Sequence, residues 1–203
     1  MIENLEFGEG RNKARRIQPL NFFSGKHAHR ISLLSYLMAL ELGLNRGDAD
    51  LLRLVAPTRR MNPAITPEDM AVKPGARYTD SDTDGIDPVS WQEPGGFEIF
   101  KKSDNEIMKA AALVAHQRHE HWDGNGYPRG LKGEEIHIFA RIAGLANAFD
   151  SLVQGRFSGY PYNIAQITAL IRGQRGRWFS PRLVDIFLHN LDEFLKISSR
   201  YHD

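Results

Sequence analysis

Apolar residues recur along this chain at helical spacing. Between Lys26 and Leu44 one stripe runs Ile31, Leu34, Met38 and Leu42, and a second runs Leu33, Leu37, Leu40 and Leu44. Two adjacent stripes predict a helix buried over a wide arc. Asp48 as N-cap and Pro57 as a stop signal bound a second helix over about 48–57. Ser103 and Glu106 have the spacing of a capping box, ahead of a helix over about 104–121. From Ile136 to Val153, the residues Ile138, Ile142, Leu145, Phe149 and Leu152 share one stripe. Ala140, Ala143, Gly144 and Asn147 form a face of small residues beside it, open to close approach by another backbone or a ligand. Two further amphipathic helices are expected over about 162–173 and 181–196, the latter with Ser180 as cap and Pro181 in its first turn. No strand-like alternation of useful length and no internal repeat occurs, so the pattern predicts an all-α domain.

Two stretches break the helical pattern. Residues 58–96 are rich in proline, glycine and aspartate and too long for an ordinary connection, which predicts a long irregular loop. Residues 122–135, WDGNGYPRGLKGEE, require a tight and specific loop. Composition changes the picture little: 41% hydrophobic residues are enough for a real core. Lys and Arg number 26 against 25 Asp and Glu, a formal net charge of +1. No long-range field gathers nucleic acid or anionic lipid, and any basic site must be local. The absence of cysteine excludes disulfides, thiolate metal ligands and a cysteine nucleophile. No apolar stretch has the length of a membrane span, and the basic N-terminus is followed by no apolar signal core. The expectation is a soluble, cytoplasmic protein with no nucleic-acid or membrane partner.

The segment Arg118-His-Glu-His-Trp-Asp-Gly-Asn-Gly-Tyr-Pro-Arg-Gly-Leu-Lys-Gly-Glu-Glu-Ile136, followed by Ala140-Arg141-Ile142 and Phe149-Asp150-Ser151-Leu152, resembles the signature of the HD-GYP family. Upstream, His27-Ala-His-Arg30-Ile31, Leu52-Arg-Leu-Val-Ala-Pro57 and Lys73-Pro-Gly75 resemble the same family in the same order. Trp178-Phe-Ser-Pro-Arg-Leu-Val184 is similar to the start of its last helix. The resemblance spans about 24–190 and implies an HD-type helical bundle over 24–197, with an N-terminal extension over 1–23 and a tail over 198–203. It also implies metal-dependent hydrolysis of the bacterial second messenger cyclic di-GMP by two or three bridged ions. That chemistry needs clustered His and Asp ligands, which generate hydroxide and neutralise the phosphodiester.

Here the ligand positions depart from the family. His27 stands on the first ligand helix, but Arg59-Arg60 replaces the His-Asp pair that names the family, and the neighbouring lysine falls on Pro63. Gln92 aligns with the next histidine, Arg118 replaces the first of a histidine pair whose second member is His119, and Asn147 replaces an aspartate. Only His27 and His119 keep a ligand. The family's phosphate-gripping element is reduced to Arg156-Phe-Ser-Gly159, in which Arg156 alone retains a cation. Two readings of Arg59, Arg60 and Arg118 stay open. They pair with Glu120, Asp123 or Asp150 and fill the vacated site, or together with Arg156 they form a metal-free anion site.

Three other groupings bear on function. His116, His119, Glu120 and His121 look like a metal cluster. If the helix runs to 121, however, positions 119 and 121 lie about 200° apart, which favours a loop-anchoring role. Asp80-Ser-Asp-Thr-Asp-Gly85 opens like a calcium loop through Asp80, Asp82 and Asp84, but Trp91 stands where the bidentate glutamate belongs. A solvated acidic insertion competes with calcium there. Asp123, Gly124, Gly126, Tyr127 and Pro128 belong to the loop that, in the HD-GYP family, is implicated in contacts with GGDEF domains. The expected protein is therefore a degenerate, non-catalytic HD-GYP-like regulator with no cofactor, acting through signalling partners such as GGDEF proteins or by holding a cyclic dinucleotide without hydrolysis. The rival is a weak metal-dependent phosphodiesterase using His27 and His119.

Overall fold

Short polar side chains set where the helices begin. The computed structural model describes residues 25–58, 104–155 and 160–201. Among them run seven α-helices and no strand: α1 (Lys26–Glu41), α2 (Arg46–Val55), α3 (Glu106–Gln117), α4 (Ile138–Val153), α5 (Ile164–Gly173), α6 (Pro181–His189) and α7 (Leu191–Arg200). A single 3-10 turn, Gly133–Glu135, precedes α4. The all-α class expected from the periodicity is what the chain adopts.

Two caps differ from the expected ones. Asn45, not Asp48, caps α2: its Oδ1 accepts from the Asp48 amide at 2.9 Å, while its Nδ2 donates to the Asp48 carboxylate at 2.7 Å. Asn105 caps α3 through the amides of Ile107 and Met108. The helix it starts ends at Gln117 rather than 121. Asn163 and Gln166 make a reciprocal capping box on α5. The expected helix 181–196 is two helices, because Asn190 leaves helical geometry at φ −106° and ψ 20° and its side chain donates to the Ile186 carbonyl. The last helix continues to Arg200, and Ser198 is buried, so the chain stays in the fold beyond 197.

The bundle centres on α1 and α4. Ile31, Leu34 and Met38 are buried as the first stripe requires, whereas the second is only partly covered and Leu40 is exposed. Ile142, Leu145, Phe149 and Leu152 of α4 are fully buried. Phe149 meets Phe187 edge to face at 5.0 Å, and Phe187 stacks on Phe194 at 5.2 Å, which ties α4, α6 and α7 together. The small face of α4 admits a backbone: a Cβ on Gly144 would lie 3.0 Å from the Arg118 carbonyl oxygen. None of the helices among the described residues is long and apolar enough to cross a membrane.

Phe194→Ala is expected to cost about 3–5 kcal/mol by chemical denaturation, because it opens a cavity among three rings. Leu54→Ala, at a half-exposed position, is expected to stay within about 0.5 kcal/mol of the parent.

Candidate functional site

Two networks hold the ligand positions that the sequence retains, His27 and His119. The first is built on a buried carboxylate. Asp150 of α4 and Arg30 of α1 are both 0% exposed. The Arg30 Nε and Nη2 donate to the two carboxylate oxygens of Asp150, and its Nη1 donates to the Tyr201 carbonyl at the end of α7. His27, one helical turn before Arg30, places Nδ1 2.6 Å from Asp150 Oδ2. An ionised carboxylate only accepts, so Nδ1 is the donor and the ring is fixed in orientation. In the sequence Arg30 stands out only as part of a motif. The signal that could have found it is an arginine three residues after His27 on the same helix face.

The second network is built on Arg118, the C-cap of α3. Its Nε donates to His119 Nε2 at 3.0 Å and its Nη1 donates to the Thr58 carbonyl at 2.9 Å. Arginine has no acceptor, so His119 Nε2 must be the accepting nitrogen of a neutral ring. Burial, then the Arg118 guanidinium, then His121 hold the His119 pKa well below the ordinary 6.5. That nitrogen is thus occupied by a fixed cation. The carboxylates expected to pair with Arg118 are engaged elsewhere: Asp150 with Arg30 and His27, Glu120 with loop amides, and Asp123 with the Asn125 amide.

The loop 122–135 is held from within. Glu120, only 6% exposed, accepts from the Arg129 amide at 2.8 Å and the Leu131 amide at 2.9 Å. Burial raises its pKa, against the opposing pull of these amides and Arg129. Tyr127 stacks parallel on His119 at 5.0 Å, and its amide donates to the His119 carbonyl. Gly126 passes so close to the preceding strand of chain that a Cβ there would sit 2.2 Å from the His121 amide nitrogen. Gly124 takes φ +85°, a conformation that favours glycine. The amides of Trp122 and Asp123 donate to the carbonyls of Trp178 and Arg177, while His121 stacks on Trp178 at 4.7 Å. Arg141 lies over the Trp122 ring at 5.4 Å. Pro128 and Arg129 are exposed at the tip.

The apparent cluster of His116, His119, Glu120 and His121 separates because α3 stops at Gln117. His119 turns to Arg118 and Tyr127, His121 to Trp178 and Glu120 to the loop, which are anchoring roles. No group of three His, Asp or Glu side chains that could hold a metal ion occurs among the described residues. Asn147, half-buried on α4, supplies an amide where a carboxylate is needed. Among the described residues, the donor set does not fit the bridged metals that the resemblance implies. Arg59, Arg60, Gln92, Arg156, Asp80, Asp82 and Asp84, and with them the long irregular loop and the extension over 1–23, lie outside the described residues.

Gly126→Ala is expected to loosen the loop, read as faster amide hydrogen exchange at Arg129 and Leu131. The pH dependence follows from His121, whose pKa burial depresses to about 4, with Asp123 opposing and Arg177 adding to the effect. A histidine harder to protonate when folded makes the unfolded chain bind more protons. Stability is expected to fall as pH drops from about 6.5 towards about 4. His121→Gln is expected to flatten that slope in urea denaturation.

The family model described as HD domain matches residues 21–183. A 3'3'-cGAMP-specific phosphodiesterase 2 of Vibrio cholerae is 30% identical over 197 residues, covering 95% of this chain and 36% of its own length. The cyclic di-GMP phosphodiesterase response regulator RpfG of Xanthomonas campestris is 31% identical over 188 residues, covering 93% and 49% respectively. The chain thus spans less than half the length of these relatives. A crystal structure of a cyclic GMP-AMP-specific phosphodiesterase of Vibrio cholerae superposes with a TM-score of 0.56 at 21% identity, over 86% of this chain and 48% of that one. That likeness shows the fold.

Proposed function

The chain belongs to the HD domain family, as a member of the HD-GYP type, and we propose that it is a non-catalytic regulator in bacterial cyclic dinucleotide signalling that works through a protein contact of its loop. The observation that carries this reading is the bond from Arg118 Nε to His119 Nε2. An ion entering there must displace a permanent cation and compete with it for one lone pair. The sequence adds Arg59 and Arg60 at the position of the defining His-Asp pair and Asn147 at that of an aspartate.

The loop, by contrast, is held in shape by its own residues. Glu120, Gly126 and Tyr127 fix its backbone, and Pro128 and Arg129 are displayed at its surface. A rigid, displayed loop suits recognition, because little ordering entropy is lost on binding. A GGDEF-type domain is the partner class this reading favours. Holding a cyclic dinucleotide is the weaker alternative, since Arg118 already spends Nε and Nη1 on protein acceptors.

Two measurements on the same preparation test the reading. With manganese or iron supplied, cyclic di-GMP is expected to remain uncleaved above the no-protein rate. Recovery of a GGDEF protein on immobilised chain is expected to fall about tenfold with Arg129→Glu, an exposed change at the centre of the displayed tip. Steady turnover would contradict the non-catalytic assignment, and equal recovery by the variant would contradict the role of the loop.

A further inference from the structure

A groove lined by none of the loop residues or of His27 and His119 lies beside the end of α4. It runs between the end of α4, the start of α5 and the outer edge of α7, and encloses about 480 Å³. Val153, Ile164 and Leu195 give it an apolar floor, and Asp192 and Lys196 mark its edge. Ile164, the first residue of α5, is 54% exposed, which is unusual for so large an apolar side chain beside other apolar groups. Ser198 also lines the groove. It is 1% exposed, and its hydroxyl has no hydrogen-bond partner among the described residues.

The order of charges identifies the occupant. Asp192 and Lys196 are both exposed, stand one helical turn apart on α7 and flank Leu195. A two-fold axis passing between them lays α7 antiparallel on its own copy. It brings Asp192 opposite the partner's Lys196 and Lys196 opposite the partner's Asp192, the self-complementarity that an isologous interface demands. Lys196 also bonds Glu193 at 2.6 Å, an exposed pair that contributes little and exchanges readily. A formal net charge of +1 leaves two copies free of strong repulsion. We propose that this groove is the interface of a homodimer, in which Ile164 and Leu195 of each copy close over the other and the Asp192 and Lys196 pairs set an antiparallel register. The proposal is independent of the reading of the loop.

Sedimentation velocity of the full chain from about 1 to 200 μM spans the affinities typical of such interfaces. A monomer–dimer equilibrium is expected in that range. Ile164→Glu and Lys196→Asp are each expected to weaken it about tenfold or more, with helical content unchanged. The exchange Asp192→Lys with Lys196→Asp restores opposite charges across the axis and is expected to return the affinity to within about threefold of the parent. A monomer throughout would overturn the proposal and give the groove to a different chain. A dimer that Ile164→Glu leaves intact, or a double exchange no better than Lys196→Asp alone, would also overturn it.

Discussion

Asp150 places a carboxylate at the centre of the bundle with no access to water, and the arrangement of α1, α4 and α7 follows from how that charge is met. Arg30 covers both carboxylate oxygens, and its remaining arm reaches the Tyr201 carbonyl at the end of the chain's last helix. His27 takes the other side of the carboxylate. A buried pair of this kind adds little net stability over an apolar replacement, yet breaking it by removing one partner costs about 3–5 kcal/mol. Its effect is to hold three helices in one register. The aromatic contacts of Phe149, Phe187 and Phe194 then close the core around it.

The same logic of fixed charge governs the site. In an enzyme of this family type, histidine lone pairs and carboxylates face inward to hold cations that come and go. In the proposed reading a covalently attached cation takes that place here. Arg118 bridges the end of α3 to the turn after α2 and saturates His119 Nε2, and burial keeps the imidazole neutral. His119 in turn supports Tyr127 and so steadies the loop. The chain has the helical scaffold on which the loop is displayed, and beneath the loop lie Arg118 and His119.

Much of the fold was legible because helical periodicity reports burial directly. The stripe Ile31, Leu34 and Met38 and the stripe Ile142, Leu145, Phe149 and Leu152 are core, and the small face at Gly144 is where the Arg118 backbone passes. Helix ends were less legible, since several polar residues near each end can cap. Asn45 outcompeted Asp48, and Asn190 split a helix whose apolar pattern continues through it. In the site, Arg118 and Asn147 were readable as residue types. Arg30, the Arg118 to His119 bond and the stacking of His121 on Trp178 were not, because each depends on where α3 stops and on contacts between distant segments.

The central claim is that fixed guanidinium groups have replaced the metal ions. It is tested most directly by elemental analysis of the purified chain after incubation with manganese, iron or zinc and desalting. The account predicts less than about 0.1 transition-metal ion per chain, with the Arg118→His variant gaining metal over the parent. Near-stoichiometric metal in the parent would contradict it, because His119 would then have exchanged its arginine for an ion.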